Sequence, residues 1–216
     1  MVDTIVNGGS ADDLGWVHAV QPPARGPARG VLVLLHGTGG DETSLVALGQ
    51  AVAPDHLLVG VRGRSDEEGV TRFFRRFDAL HYDQDHLASE ARALAAFARE
   101  ASSRYASPDL PRAALGYSNG ANVALAAQLL DPATFTALAL LRAVQPFDRP
   151  PTPQLGDLEV LLLLGRSDPY LAAGQGLPAF LGGQGAHVED GVLDAGHGLT
   201  REDVARLAAW FAALSA

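Results

Sequence analysis

The chain has 216 residues, 47% of them hydrophobic, with a formal net charge of −9. That length suits one domain with a sizeable core, the composition excludes a disordered chain, and the acidic surface argues against a nucleic-acid partner because it repels phosphate backbones. Cysteine is absent and all 16 basic residues are arginine, which excludes disulfides, thiolate metal sites, cysteine nucleophiles, lysine Schiff bases and a Ser-Lys dyad.

No stretch approaches the ~20 apolar residues of a membrane span, so no membrane insertion is expected. The segment Met1 to Ser10 has neither a basic region nor a long apolar run, and a cytoplasmic location is expected. Residues 1–12 are read as a flexible lead into a single domain over 1–216. Gly15 to Val20 predicts a short strand, and the Pro-, Arg- and Gly-rich segment Gln21 to Gly30 an exposed turn. Val31-Leu32-Val33-Leu34-Leu35 is continuously apolar, as a strand buried on both faces requires. Glu42 to Val52 predicts a helix ending before Pro54, and Leu57 to Val61 a second buried strand. Arg62 to Asp83 reads as irregular, and its length marks it as a functional loop. Gln84 to Tyr105 is a helix with Leu87, Ala91, Leu94, Ala98 and Ala101 on one stripe.

A strand at Arg112 to Leu115 and a helix from Ser118 to Leu130 follow. Then come strands at Thr136 to Leu141 and Leu158 to Leu164, a Gly-rich helix at Leu171 to Leu181, a strand at His187 to Leu193 and a helix at Arg201 to Leu214. Thr200 is placed to cap that last helix, with Asp203 three positions on. Alternating apolar strands and helices define an α/β domain with a doubly wound, mostly parallel sheet.

In such sheets ligands bind beyond the carboxyl ends of the strands. Gly116-Tyr117-Ser118-Asn119-Gly120 stands at one such strand-to-helix junction, where a sharp turn can hold a serine hydroxyl clear of the backbone. Asp168 follows the strand ending at Leu164, and His197 follows the one ending at Leu193. The order Ser, Asp, His is that of a hydrolase built on this sheet. In that reading Ser118 attacks, His197 shuttles the proton, and Asp168 fixes the imidazole tautomer and orientation. Asp194 and Asp157 are rival acids, but Asp194 lies only three positions before His197 and is badly placed to reach its ring. The developing oxyanion needs preorganised donors, and the backbone N–H groups of Asn119 and Thr38 are the candidates.

These residues resemble the α/β-hydrolase superfamily, in particular its small carboxylesterase/phospholipase group without a lid domain. The marks are Leu35-His36-Gly37-Thr38-Gly39-Gly40, the Ser118 pentapeptide continuing to Ala121-Asn122, Gly165-x-x-Asp168-Pro169, and Gly196-His197. Arg72-Phe73-Phe74-Arg75-Arg76 followed by Asp85 is similar to the MhqD-like subgroup of hydrolases. The resemblance covers nearly the whole chain from about Gly15. It implies cleavage of carboxylic esters through an acyl-enzyme, without a cofactor or a metal. One departure is Thr38, where esterases of this group often carry leucine. The backbone donor survives that change, while the nearby acyl pocket is open to difference.

His36 is read as a hydrogen-bonder that supports the oxyanion turn. His18, His56, His81, His86 and His187 are read as surface or packing residues. His81 and His86 flank Asp83 and Asp85, but these acids sit at a helix start, where the helix dipole favours them, so no metal site is expected there. Five arginines lie between Arg62 and Arg76, and they are either solvated or dock an anionic substrate group. Arg62, Phe73, Phe74 and Arg75 are the substrate contacts expected there, with the phenylalanines as an apolar wall or as loop anchors. The segment from Arg142 to Asp157 is too short for a helical lid, which favours small to medium, water-soluble esters. A thioesterase or lysophospholipase using the same triad, and a non-catalytic binding protein on the same scaffold, are the alternatives. The small ester is the expected partner; the oligomeric state is open, a homodimer included.

Overall fold

A computed structural model describes residues 5–7 and 14–214. The expectation for residues 1–12 falls outside that range except at β1 (Ile5–Asn7), which pairs antiparallel with β2 (His18–Gln21). The chain continues through β3 (Gly30–Leu35), α1 (Val46–Val52), β4 (His56–Val61), β5 (Ser65–Glu67), β6 (Val70–Arg72) and α2 (Gln84–Tyr105). It closes with β7 (Arg112–Tyr117), α3 (Asn119–Leu130), β8 (Ala137–Leu141), β9 (Glu159–Gly165), α4 (Leu171–Gly174), α5 (Leu177–Gly182), β10 (His187–Leu193) and α6 (Arg201–Leu214).

Eight strands form one sheet in the order β1-β2-β4-β3-β7-β8-β9-β10, parallel from β4 to β10. The alternation of side chains along a strand divides the core. Val31, Val33 and Leu35 of β3 face the layer built by α2 and α3. Leu32 and Leu34 face Val52 of α1 and Leu207, Trp210 and Phe211 of α6. With helices on both faces, the central strands are buried throughout, which is why they read as unbroken apolar runs. This is the α/β fold with a mostly parallel sheet expected from the sequence. Among the described residues no helix is long and apolar enough to cross a membrane.

Three local expectations change. The helix predicted from Glu42 starts only at Val46. Asp41 Oδ1 accepts bonds from the Thr43 N–H, the Thr43 hydroxyl and the Ser44 hydroxyl, and this side-chain turn holds the backbone out of the helix. The stretch from Arg62 to Asp83 is not wholly irregular: β5 and β6 form a hairpin whose two turn residues, Glu68 and Gly69, both have positive φ. That is the backbone demand of a tight two-residue hairpin turn. The Gly-rich helix is two short helices, α4 and α5, separated at Gln175 and Gly176.

Candidate active site

The turn between β7 and α3 carries Ser118 at φ +52° and ψ −113°. A non-glycine residue is strained there, and the surroundings hold it in place. The Ser118 N–H donates to the Leu141 carbonyl at 2.8 Å, and the Ser118 carbonyl accepts from the Asn122 N–H at 3.0 Å. Gly120 lets α3 start directly against β3, since a Cβ there would run into the Leu35 carbonyl oxygen. The serine hydroxyl is thereby raised above the carboxyl edge of the sheet, half-buried.

Ser118 Oγ stands 2.9 Å from His197 Nε2, and His197 Nδ1 stands 2.8 Å from Asp168 Oδ2. The carboxylate can only accept, so Nδ1 carries the proton and Nε2 of the neutral ring is free to accept from the serine. Asp168 is 7% exposed, and its other oxygen accepts the Tyr170 N–H at 2.9 Å. The two loops bearing Asp168 and His197 run close together. The Ser167 N–H donates to the Ala195 carbonyl, and Gly165 leaves room for the Gly196 carbonyl, which a Cβ would strike. Asp194 is exposed and Asp168 is the acid brought to the imidazole.

Thr38 and Asn119 border the same cleft as Ser118 and His197. Among the described residues neither backbone N–H has a protein acceptor. The turn holding Thr38 is pinned by Gly39 N–H to Thr71 O at 2.8 Å and by Gly40 N–H to Gly37 O at 3.0 Å. The Asn119 side chain faces the other way and accepts the Phe73 N–H at 2.7 Å.

His36 lies beneath this turn. Its Nε2 accepts the Gly63 N–H at 3.0 Å, so its proton is on Nδ1, which donates to Gly37 O at 2.7 Å. The ring joins the Thr38 turn to the loop after β4 and does not line the cleft. Burial, the largest influence, pushes its pKa below the usual 6.5. The unfolded chain therefore binds a proton near pH 6.5 that the folded one refuses, so this contribution to stability is lost as pH falls through 6.5 toward the lower folded value. The urea midpoint of the wild type should drop more between pH 7.5 and 5.5 than that of His36→Gln, which has no titrating ring; parallel curves would contradict this.

The structure revises the expected substrate contacts. Phe73 and Phe74 are 0% exposed: Phe73 packs on Trp16 and His36, and Phe74 on Tyr82. They anchor the loop to the core. Arg62 is bound bidentately by Glu42, and Arg75 donates from Nε and Nη2 to one oxygen of Asp83. None of the four lines the cleft; Arg76, Ala79, Leu80, Tyr82, Val144 and Tyr170 do. The remaining histidines have partners: buried His18 with the Trp16 carbonyl and the Tyr105 hydroxyl, His56 with Asp55, His81 with Asp78 and His187 with Glu159, while His86 accepts the Arg75 N–H. Asp83 caps α2 by accepting the His86 N–H.

Arg142, the first residue after β8, is a site residue that the sequence reading passed over. It is 2% exposed, with φ +56°. Its guanidinium forms a bidentate pair with buried Asp203 at 2.8 and 2.9 Å. Nε donates to Gly196 O at 3.0 Å and Nη2 to Gly198 O at 3.1 Å, while the Tyr117 hydroxyl donates to His197 O at 3.0 Å. Three consecutive carbonyls around His197 are thus held by two side chains. Asp203 also accepts the N–H and hydroxyl of Thr200, which closes the start of α6. The available signal was Arg142's position, just past a buried strand on the edge that carries the other site residues.

A larger cavity of about 490 Å³ lies at the opposite end of the sheet, beside the first residues of β4, β7, β8 and β9. It holds none of Ser118, His197 and Asp168, and strand amino ends are not where this fold places its chemistry.

A hydroxyl, an imidazole and a carboxylate in one hydrogen-bonded line, at the carboxyl edge of this sheet, define a hydrolase of the α/β type. No family model matches the chain. It is 32% identical over 189 residues, 87% of its length and 94% of the relative's, to MhqD of Bacillus subtilis (strain 168), a protein named as a hydrolase. Among solved structures, a carboxylesterase from Mesorhizobium loti superposes with a TM-score of 0.87 at 34% identity, covering 95% of this chain and 99% of the other. The structure of YahD with malic acid gives 0.82 at 30% identity, covering 92% and 98%. The chain belongs to the MhqD family of hydrolases and shares the carboxylesterase form of the α/β-hydrolase fold.

Proposed function

We propose that the protein cleaves carboxylic esters through an acyl-enzyme at Ser118. The observation that carries this reading is the unbroken line from Ser118 Oγ through His197 to Asp168. His197 Nε2 takes the serine proton as Oγ adds to the ester carbonyl, and the buried Asp168 carboxylate stabilises the imidazolium. The carbonyl oxygen becomes an anion between the Thr38 and Asn119 N–H groups. Collapse expels the alcohol, which receives the proton from His197. Water then enters, gives its proton to the same nitrogen and releases the acid.

Residues 142–158 contain no helix, so this segment builds no helical cap over the cleft. That supports small to medium, water-soluble esters. The malic acid in the YahD structure makes small carboxylate-bearing ligands a class to include in a screen. The test is stoichiometric labelling by a fluorophosphonate, with parallel assays of p-nitrophenyl esters, acyl-CoA and lysophospholipid. Labelling with ester turnover is expected. Turnover of acyl-CoA or lysophospholipid alone would move the assignment to a thioesterase or lysophospholipase. No reaction with any probe would leave a binding protein on this scaffold.

A further inference from the structure

Five arginines enter the loop system between β4 and α2, and four of them are spoken for. Arg62 binds Glu42, Arg64 binds Glu90, Arg72 binds Glu67 and Arg75 binds Asp83. The fifth, Arg76, is half-buried and anchored through its backbone N–H, which donates to Glu67 Oε1. Among the described residues its guanidinium has no hydrogen-bond or ion-pair partner, and it lines the cleft that holds Ser118.

Tyr82 lines the same cleft and is 7% exposed. Its hydroxyl accepts the Asn122 Nδ2–H at 3.2 Å, but among the described residues its own proton has no acceptor. Burial pushes this phenol up to about 12, with Arg76 close enough to oppose that rise, so the hydroxyl is a lasting donor. Tyr170 also borders the cleft, its ring edge-on to His197 at 5.3 Å, and its hydroxyl has no partner among the described residues. Among the described residues no aspartate or glutamate lines this cleft, although the chain as a whole carries a net charge of −9. Arg142 adds no free charge, since Asp203 and three carbonyls use its donors. Ala79, Leu80 and Val144 supply apolar surface on the same cleft. The result is a group of donors beside the nucleophile with no acceptor among the described residues, left to water until a ligand accepts from them.

We infer that the cleft is built for an ester carrying a free carboxylate, which docks on the Arg76 guanidinium and accepts from the Tyr82 and Tyr170 hydroxyls. This rests on the hydrolase reading. The planar fork of arginine suits a carboxylate, with which it makes two parallel bonds. The carbon chain between carboxylate and ester lies along Ala79, Leu80 and Val144. A neutral ester leaves the three donors facing water or nothing, and gains less from the cleft.

The experiment compares neutral and anionic esters of matched length. One series puts the carboxylate on the acyl side, monoethyl glutarate and monoethyl adipate against ethyl valerate and ethyl hexanoate. The other puts it on the alcohol side, as O-acetyl hydroxy acids against simple alkyl acetates. The wild type should favour the anionic member of at least one series in kcat/KM. Arg76→Met should lower the anionic-to-neutral ratio at least tenfold, mainly through KM, and Arg76→Lys should restore part of it. Tyr82→Phe and Tyr170→Phe should lower the ratio less, and added salt should weaken the wild-type preference. An unchanged ratio in Arg76→Met, in both series, overturns the inference while neutral-ester turnover keeps the hydrolase reading intact. Absence of turnover and of fluorophosphonate labelling in the wild type overturns that reading as well.

Discussion

Replacing Ser118 by alanine should abolish fluorophosphonate labelling and lower kcat on a simple ester by on the order of 10⁴-fold or more. The expected size follows from the way the three side chains act as a unit. Without the hydroxyl, His197 has nothing to deprotonate, and only binding and the Thr38 and Asn119 donors remain to stabilise attack by water. Folding should scarcely change, because the alanine keeps the same backbone and loses one partly exposed hydrogen bond, worth about 1 kcal/mol. Ser118→Gly provides a control. Glycine accepts φ +52° and ψ −113° freely, so relief of strain should offset that loss and add about 1 kcal/mol, while activity stays as low as in the alanine variant. Labelling of Ser118→Ala at wild-type stoichiometry would place the nucleophile elsewhere.

Arg142→Met should be the most damaging change outside Ser118, His197 and Asp168. It leaves the Asp203 carboxylate buried without its partner, a loss of about 3–5 kcal/mol. It also frees the Gly196 and Gly198 carbonyls on either side of His197. Stability and positioning are separated by the double variant Arg142→Met, Asp203→Leu. Removing both charges should recover most of the stability, less about 1 kcal/mol for the lost cap at Thr200. The His197 loop then still lacks the two Arg142 donors and keeps only that of Tyr117, and a displacement of the ring on the order of 1 Å costs about 10²-fold in kcat. KM should change much less. Urea unfolding and steady-state kinetics on the two variants read both effects. A double variant that is stable and as active as the wild type would reduce Arg142 to a structural pair.

Much of this architecture is written in local sequence. Helices α2 and α6 begin and end where the sequence places them, since each has a strong apolar stripe and a polar start. The β5–β6 hairpin is not legible in the sequence, because its turn is Glu68-Gly69 and its strands are three residues each, too short for an alternating pattern to show. The late start of α1 has a similar cause: Asp41 bonds to its own neighbours, an effect of one side chain that no periodicity carries.

Sequence alone determined which residues could meet. Apolar runs fix the buried parallel strands, each strand's carboxyl end fixes an edge, and Ser118, Asp168 and His197 follow three of those ends. What it could not determine was which charged side chains remain free. Five arginines between Arg62 and Arg76 look alike in one dimension, and the aromatic pair beside them looks like a pocket wall. The tertiary structure brings Glu42, Glu67, Asp83 and Glu90 to four of the arginines, turns Phe73 and Phe74 into the core, and leaves Arg76 with Tyr82 and Tyr170 at the cleft. It also ties Arg142 to Asp203, 61 positions away, and through it to the backbone around His197. Pairing of charges depends on distance in space, which a strand order of β4-β3-β7-β8-β9 sets and a linear sequence does not display.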